Sequence, residues 1–273
     1  MFDFRAAVPE DLPRAAALSA AIGWNQVQAD WAFFLEHGLV RVLEDGAGDA
    51  LAASAALLPH GPRLAWISMV LVRPDQRRRG LASALLRWAM DARPGLTLAL
   101  DATPAGREVY GPIGFTDVFG FARWLLPAAL PPGAVPVRPM QEADWPGVLA
   151  LDEAAFGAPR PALLHSFARR LPQAALVAPG GFVLARDGLR APQIGPLVAP
   201  DAATALALLA AAQAALGGPV VLDVPDEAAA FRKGLAAAGG APQRPFTRMA
   251  IGALDLPDGQ AVQNFVLAGP EFG

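Results

Sequence analysis

Val72-Arg73-Pro74-Asp75-Gln76-Arg77-Arg78-Arg79-Gly80-Leu81-Ala82-Ser83-Ala84-Leu85-Leu86 is the stretch whose reading decides the fold, because an apolar run stops there at a basic, glycine-bearing turn and a helical pattern begins. Upstream, Leu64 to Val72 is rich in branched and aromatic residues, as a strand requires. Downstream, Leu81, Leu85, Leu86 and Met90 recur at helical spacing. Gly80 therefore falls near a helix N-terminus, where the first backbone N–H groups lack intrahelical partners and the helix dipole presents partial positive charge. Such a turn is a socket for a diphosphate, and a residue without a side chain lets the anion approach. The competing reading is a solvated turn around Arg77, Arg78 and Arg79. The full succession of strand, Val-x-Pro, basic turn, glycine, small residue and amphipathic helix weighs against it.

The chain has 273 residues, 54% of them apolar, which exceeds one ordinary domain and supplies core for two. Its formal charge is −3, and the basic residues cluster at one loop, so neither a nucleic-acid nor an anionic-membrane partner is expected. The absence of cysteine removes disulfides, thiolate metal sites and a cysteine nucleophile. Met1-Phe2-Asp3-Phe4-Arg5 lacks the apolar core of a signal peptide, which makes a cytoplasmic location the expectation. The apolar stretch from Ala202 to Val224 is interrupted by Gln213, Gly217, Gly218 and Pro219, so it reads as a helix and a strand, with no membrane span. His37, His60 and His165 are too scattered for a metal site, and no serine sits in a nucleophile elbow. The basic turn also lacks the Gly-Lys-Ser/Thr of a nucleotide phosphate loop.

The coarse element order is a strand near Phe2 to Val8, helices from Pro9 to Ile22 and Gln28 to Glu36, and strands at Leu39 to Glu44 and Leu51 to Leu58. A turn from Pro59 to Arg63 feeds the strand that ends in the basic loop. After its helix come a strand at Leu96 to Asp101, a short helix from Pro104 to Ile113 with Thr103 as N-cap, and a strand from Phe115 to Leu125. A proline-rich linker spans 127–136, which separates an N-terminal domain (1–126) from a C-terminal one (137–273). The second part echoes the first: Arg5, Asp11, Leu12 and Pro13 recur as Arg138, Asp144, Trp145 and Pro146 at identical spacing. Val72-Arg73-Pro74-Asp75 recurs as Val198-Ala199-Pro200-Asp201, Leu100-Asp101 as Leu222-Asp223, and Phe121-Ala122-Arg123 as Phe246-Thr247-Arg248. The turn itself does not recur, since Ala202-Ala203-Thr204-Ala205 offers neither a fixed positive charge nor a glycine.

Arg77, Gly80 and Ala82, directly after Val72-Arg73-Pro74, match Arg/Gln-x-x-Gly-x-Gly/Ala, and here the chain resembles the GNAT acyltransferase superfamily. With Gln193-Ile194-Gly195-Pro196 and Arg244-Pro245-Phe246-Thr247-Arg248-Met249, the whole resembles a bacterial tandem subgroup whose C-terminal GNAT-like domain has a degenerate cofactor loop. The resemblance implies an α/β (α+β) fold of two GNAT-like domains, each a mixed, mostly antiparallel sheet flanked by helices. It implies acetyl-coenzyme A as acyl donor, held by Val70, Leu71 and Val72 along a splayed strand and by Arg77, Arg78, Arg79, Gly80, Leu81 and Ala82 at the diphosphate, with no metal. A backbone N–H near Val70 would serve the thioester oxygen.

Tyr110, the sole tyrosine, lies in Tyr110-Gly111-Pro112-Ile113-Gly114-Phe115, which matches the family's Tyr-x-x-x-Gly-Phe, and the resemblance makes it the acid that protonates the departing thiolate. Packing of the helix on the sheet is the alternative role for its ring. Pro112 departs from a regular helix there. The base is unspecified: no glutamate lies on Ala65-Trp66-Ile67-Ser68-Met69-Val70, which leaves water, with Glu108, Asp101 and His60 as weaker relays. Trp24, Asn25 and Gln26 lie where the family places acceptor-binding loops, while Trp31, Phe34 and Leu35 read as a buried helix face. Asp223 and Arg248 are expected to complete a pocket for a small-molecule amine, with ion pairing or strand-end capping as the alternative. A non-catalytic acyl-coenzyme A binding or sensing module would use the same donor residues.

Overall fold

Strands that cross between the two halves of the chain form the centre of the sheet. In this computed structural model, which describes residues 2–46, 48, 50–254 and 263–273, the first half supplies β1 (Arg5–Ala6), β2 (Leu39–Glu44), β3 (Leu51–His60), β4 (Leu64–Val72), β5 (Thr97–Ala102) and β6 (Thr116–Leu126). The second supplies β7 (Arg138–Pro139), β8 (Leu176–Ala178), β9 (Gly181–Arg186), β10 (Gln193–Ala199), β11 (Val220–Pro225), β12 (Ala241–Ile251) and β13 (Gln263–Val266). Helices α1 (Leu12–Ala21), α2 (Gln28–His37), α3 (Leu81–Ala92) and α4 (Pro104–Tyr110) belong to the first half. Helices α5 (Trp145–Phe156), α6 (Pro161–Arg170), α7 (Ala202–Leu216) and α8 (Ala229–Ala237) belong to the second. The fold is α/β with a mostly antiparallel sheet, and the spatial order is β1-β2-β3-β4-β5-β12-β6-β11-β10-β9-β8-β7, with β13 against β10.

That order is a reciprocal exchange: β12 lies between β5 and β6, while β6 lies between β12 and β11. Each half thus completes its own sheet with the last long strand of the other. Two buried ion pairs mark the exchange. Arg123 on β6 donates to both carboxylate oxygens of Asp223 on β11, at 2.9 and 2.7 Å, and Arg248 on β12 does the same to Asp101 on β5, both at 2.9 Å. The repeated Leu-Asp and Phe-x-Arg sequences are these two pairs. The other repeat is physical too, because Arg5 with Asp11 and Arg138 with Asp144 make the same ion pair at the start of each half.

A single apolar core spans the junction. Phe272, fully buried, stacks on Phe34 with ring centroids 4.9 Å apart and meets Phe33 and Phe167 edge-on. Around it the chain's last residues are tied to both halves: the Trp66 indole donates to the Pro270 carbonyl at 2.9 Å, and Arg160, already bidentate to Asp152, donates to the Gly273 carbonyl at 2.6 Å. Asp30 on α2 accepts from Arg170 at 2.7 Å and from Arg186 at 3.0 Å, so ion pairs also cross the junction.

Local differences from the sequence expectation have local causes. β1 is only Arg5–Ala6, and α1 is entered through a 3-10 turn at Pro9–Asp11. β3 runs on to His60, which is buried beneath the C-terminal segment instead of sitting in an exposed turn. α4 stops at Tyr110 and a 3-10 turn carries Pro112, as expected of a residue without an amide hydrogen. No helix among the described residues is long and apolar enough to cross a membrane.

Two outcomes follow from this architecture. Residues 1–133 alone leave β5 and β6 with no strand between them, so that fragment should aggregate or lack a cooperative thermal transition; a soluble, monodisperse fragment with full acceptor turnover would contradict the exchange. The second concerns His60. Burial, reinforced by the charges of Arg160 and Arg248, pushes its pKa down from 6.5 to about 3. The folded ring is therefore neutral, and its contribution is complete above pH 6.5 and decays at about 1.4 kcal/mol per pH unit as the unfolded chain takes up a proton the native state refuses. The advantage of the native protein over His60→Gln in urea unfolding should shrink by about 2–3 kcal/mol between pH 7 and pH 4.5.

Candidate active site

Parallel pairing between β4 and β5 is confined to Leu64–Trp66 against Thr97–Ala99, after which the strands part. A bulge in β4 drives the separation. The register with β3 shifts there, Met69 takes a left-handed φ of +51°, and the buried Ser54 hydroxyl donates to the Met69 carbonyl at 2.8 Å. A non-glycine residue in that conformation carries strain, which the Ser54 bond and the surrounding core hold in place. Beyond Trp66 the β4 edge facing β5 has no strand partner, so its backbone groups line a cleft.

Below the cleft lies the basic turn. Gly80 adopts φ +82° and enters α3 without any side chain capping the first amides. A Cβ built there would meet nothing within 4 Å, so the space in front of the helix is open. Val70, Leu71, Val72, Arg77, Arg78, Gly80, Leu81 and Ala82 all line a groove of about 880 Å³, closed on its far side by Thr103 to Tyr110. Arg79 does not line the groove itself but donates to the side chain of Gln76, which does.

At its inner end the groove meets a second, smaller pocket of about 80 Å³, and Trp24, Val70, Thr103, Tyr110 and Arg244 border both. The Tyr110 hydroxyl has no hydrogen-bond partner among the described residues, and burial pushes its pKa up to about 12, so it remains a proton donor at neutral pH. The inner wall includes Gln26, Ser68, Asp101, Arg123, Phe246, Pro270 and Glu271. Burial lifts the Asp101 carboxyl to about 6 against the pull of Arg248.

Of the expected acceptor residues, Trp24 and Gln26 reach this pocket and Asn25 does not. The Asn25 amide instead donates to the Ala191 carbonyl and accepts from the Arg190 amide, which anchors a loop of the second half. Asp223 and Arg248 are corrected as well. Both are spent in the strand-exchange ion pairs, and it is their partners Arg123 and Asp101 that face the cavity. Sequence reasoning does not assign Ser68, Arg244, Phe246 or Glu271 to the site: Ser68 lies in a strand without a motif, Arg244 and Phe246 stand out only as part of a family-like motif, and all but Ser68 arrive from more than 100 residues away.

The second half repeats the splayed strands and then closes them. β10 and β11 pair in parallel only at Gln193–Ile194, and the free edge of β10 from Leu197 to Ala199 is taken by β13. The Leu267 amide continues the occupation by donating to the Asp223 carbonyl at 2.9 Å. Gly195, with φ +142°, permits this approach, since a Cβ there would strike the Leu267 carbonyl. At the corresponding helix N-terminus the Asp201 carboxylate accepts from the Thr204 amide at 2.7 Å, placing negative charge where the first half leaves room for an anion. The chain's own strand thus fills the cleft that stays open in the first half.

Two family profiles match the chain in succession: the acetyltransferase (GNAT) family over residues 9–109 and an acetyltransferase (GNAT) domain over residues 148–262. No curated protein matches it. Among solved structures, a presumed acetyltransferase from Pyrococcus horikoshii is 22% identical with a TM-score of 0.79, covering 98% of this chain and 95% of that one. A tandem GNAT protein from the clavulanic acid biosynthesis pathway is 18% identical with a TM-score of 0.66, over 93% and 99% of the two chains. A GCN5-related N-acetyltransferase from Sphaerobacter thermophilus is 18% identical with a TM-score of 0.64, over 94% and 98%. At these identities the structures speak to the fold, and the two profiles speak to the family. The chain belongs to the GNAT acetyltransferases, with two GNAT domains in tandem.

Proposed function

We propose that this protein is an acetyl-coenzyme A-dependent N-acyltransferase whose first domain, residues 1–126, transfers the acyl group to the primary amine of a small molecule, and whose second domain, 137–273, binds no donor. The observation that carries the reading is one continuous path: an uncapped helix N-terminus at Gly80, an unpaired β4 edge, and a buried pocket with Tyr110 at the threshold. The residues fit the donor. Amides of Gly80, Leu81 and Ala82 with the guanidinium groups of Arg77 and Arg78 suit a diphosphate, and the β4 edge suits an extended amide-bearing arm.

The chemistry forms a nitrogen–carbon bond and breaks the carbon–sulfur bond of the thioester. A main-chain N–H of the β4 bulge near Val70 stabilises charge on the thioester oxygen, and Tyr110 gives its proton to the departing sulfur. Asp101 and Glu271 line the pocket but are committed to Arg248 and Arg186, so the amine loses its proton to water. The enclosed pocket, walled partly by the second half, favours a small acceptor over a protein side chain.

Calorimetry should find one acetyl-coenzyme A per chain, because β13 occupies the second cleft; two equivalent sites would refute the assignment. Gly80→Ala should weaken that binding at least about tenfold. It places a Cβ in the turn and costs about 1–2 kcal/mol of left-handed strain. Tyr110→Phe should keep donor affinity and lower turnover about 10- to 100-fold, at or below the usual range for positioned acid–base groups. Unchanged turnover with chemistry rate-limiting would assign Tyr110 to packing.

A further inference from the structure

The inner pocket carries more charge than a neutral amine requires. Four charged side chains from distant parts of the sequence, Asp101, Arg123, Arg244 and Glu271, line it. Three are neutralised in place: Asp101 by Arg248, Arg123 by Asp223, and Glu271 by Arg186. Of these four, Arg244 alone has neither an ion-pair nor a side-chain hydrogen-bond partner among the described residues, and its guanidinium is held over the Phe246 ring, 4.7 Å from the centroid. One positive charge without a direct carboxylate contact therefore stands where the groove and the inner pocket meet, beside Trp24 and Tyr110.

The empty pocket leaves two kinds of demand unmet. Burial and the charge of Arg123 push the Arg244 pKa down by more than the nearby carboxylates of Asp223 and Glu271 raise it, so an anion in direct contact would relieve the cation. The Gln26 Oε1 and Ser68 Oγ atoms, on side chains 3% and 6% exposed, line the same pocket and have no hydrogen-bond partner. Buried polar atoms left in that state are destabilising, so a ligand bearing N–H groups gains by supplying donors. The two demands are complementary.

We infer that the acceptor is an amine that also carries a carboxylate, with Arg244 of the second domain binding the carboxylate while Gln26 Oε1 and Ser68 Oγ receive the amine N–H groups. An amino acid or a short amino-carboxylic acid has this chemistry, and its size suits the small pocket. The planar guanidinium matches a carboxylate through two parallel hydrogen bonds. Arg244 is in this view a specificity-determining residue, and the second domain is retained because it delivers the charge. The inference rests on the acyltransferase reading above for the identity of the pocket as an acceptor site.

The test uses the full chain with acetyl-coenzyme A and a panel of α- and ω-amino acids, each paired with its amide, plus an aminoalkyl phosphonate. Wild-type kcat/KM should favour the carboxylate over its amide by about 10- to 100-fold, the ratio expected of a charge-assisted hydrogen-bonded pair worth about 1.5–3 kcal/mol. Arg244→Met should collapse that ratio by raising the acceptor KM, with the acetyl-coenzyme A KM unchanged, and Arg244→Lys should restore part of it. Thermal unfolding of both variants checks that the fold is intact. Equal use of acids and amides by the wild type overturns the inference. So does an Arg244→Met effect on the acetyl-coenzyme A KM, which would assign the residue to the donor, or a preference for the phosphonate. Calorimetric titration of the same acids into the coenzyme A-saturated protein separates the two claims. Arg244-dependent carboxylate binding without turnover removes the acyltransferase reading alone, whereas turnover of neutral amines with no carboxylate preference removes this inference alone.

Discussion

The reciprocal ion pairs Arg123–Asp223 and Arg248–Asp101 are the constraint on which the rest depends. All four side chains are buried at the centre of the sheet, where a charge without its partner is strongly disfavoured, and removal of one member of such a pair typically costs about 3–5 kcal/mol. Each pair can be closed only if β6 and β12 have traded places. The pairs thus select one arrangement among several that the apolar strands alone would tolerate, and they fix the register across four adjacent strands. Placement of the inner pocket follows, because its walls are drawn from β5, β6 and β12 together with the C-terminal segment.

The two halves share an architecture and differ in what fills the gap between the splayed strands. In the first half the gap is open and the adjoining helix begins at an uncapped glycine. In the second, the gap holds β13, and a carboxylate caps the helix. The same local geometry leaves an open cleft in one copy and serves internal packing in the other. The segment that does the filling continues through Pro270 and Glu271 into the pocket wall of the first half and ends at Phe272 in the shared core. Filling of the gap in one copy is therefore coupled to completion of the pocket in the other.

What the sequence made legible was local. The turn at Arg77 to Ala82 could be read because strand, glycine and helix follow one another without interruption, and the internal repeats were visible because spacing survives in both copies. Their physical meaning was not. Asp223 and Arg248 were correctly singled out as a recurring pair of positions, but nothing in one strand's composition says which strand it will lie beside, and so their ion pairing with Arg123 and Asp101 was offered only as an alternative. Arg244 is visible in the sequence only as part of the stretch Arg244 to Met249, and its place in the pocket wall depends on strand neighbours that this stretch does not specify. His60 was read as part of a turn because the residues that bury it lie at the far end of the chain.

The exchange also bears on how the chain is made. The pairs that lock the central strands join residues 100 and 147 positions apart, and β5 does not acquire its neighbour until β12 has been synthesised. Contacts of such long sequence separation close late, after most of the loop entropy has been lost. During translation the first domain emerges with its basic turn encoded but its sheet unfinished, exposing the edge of β5 to any other strand that is near. Native assembly must wait for β12 to leave the ribosome, and a nascent chain stalled between β6 and β12 is the species that chaperones would have to shield.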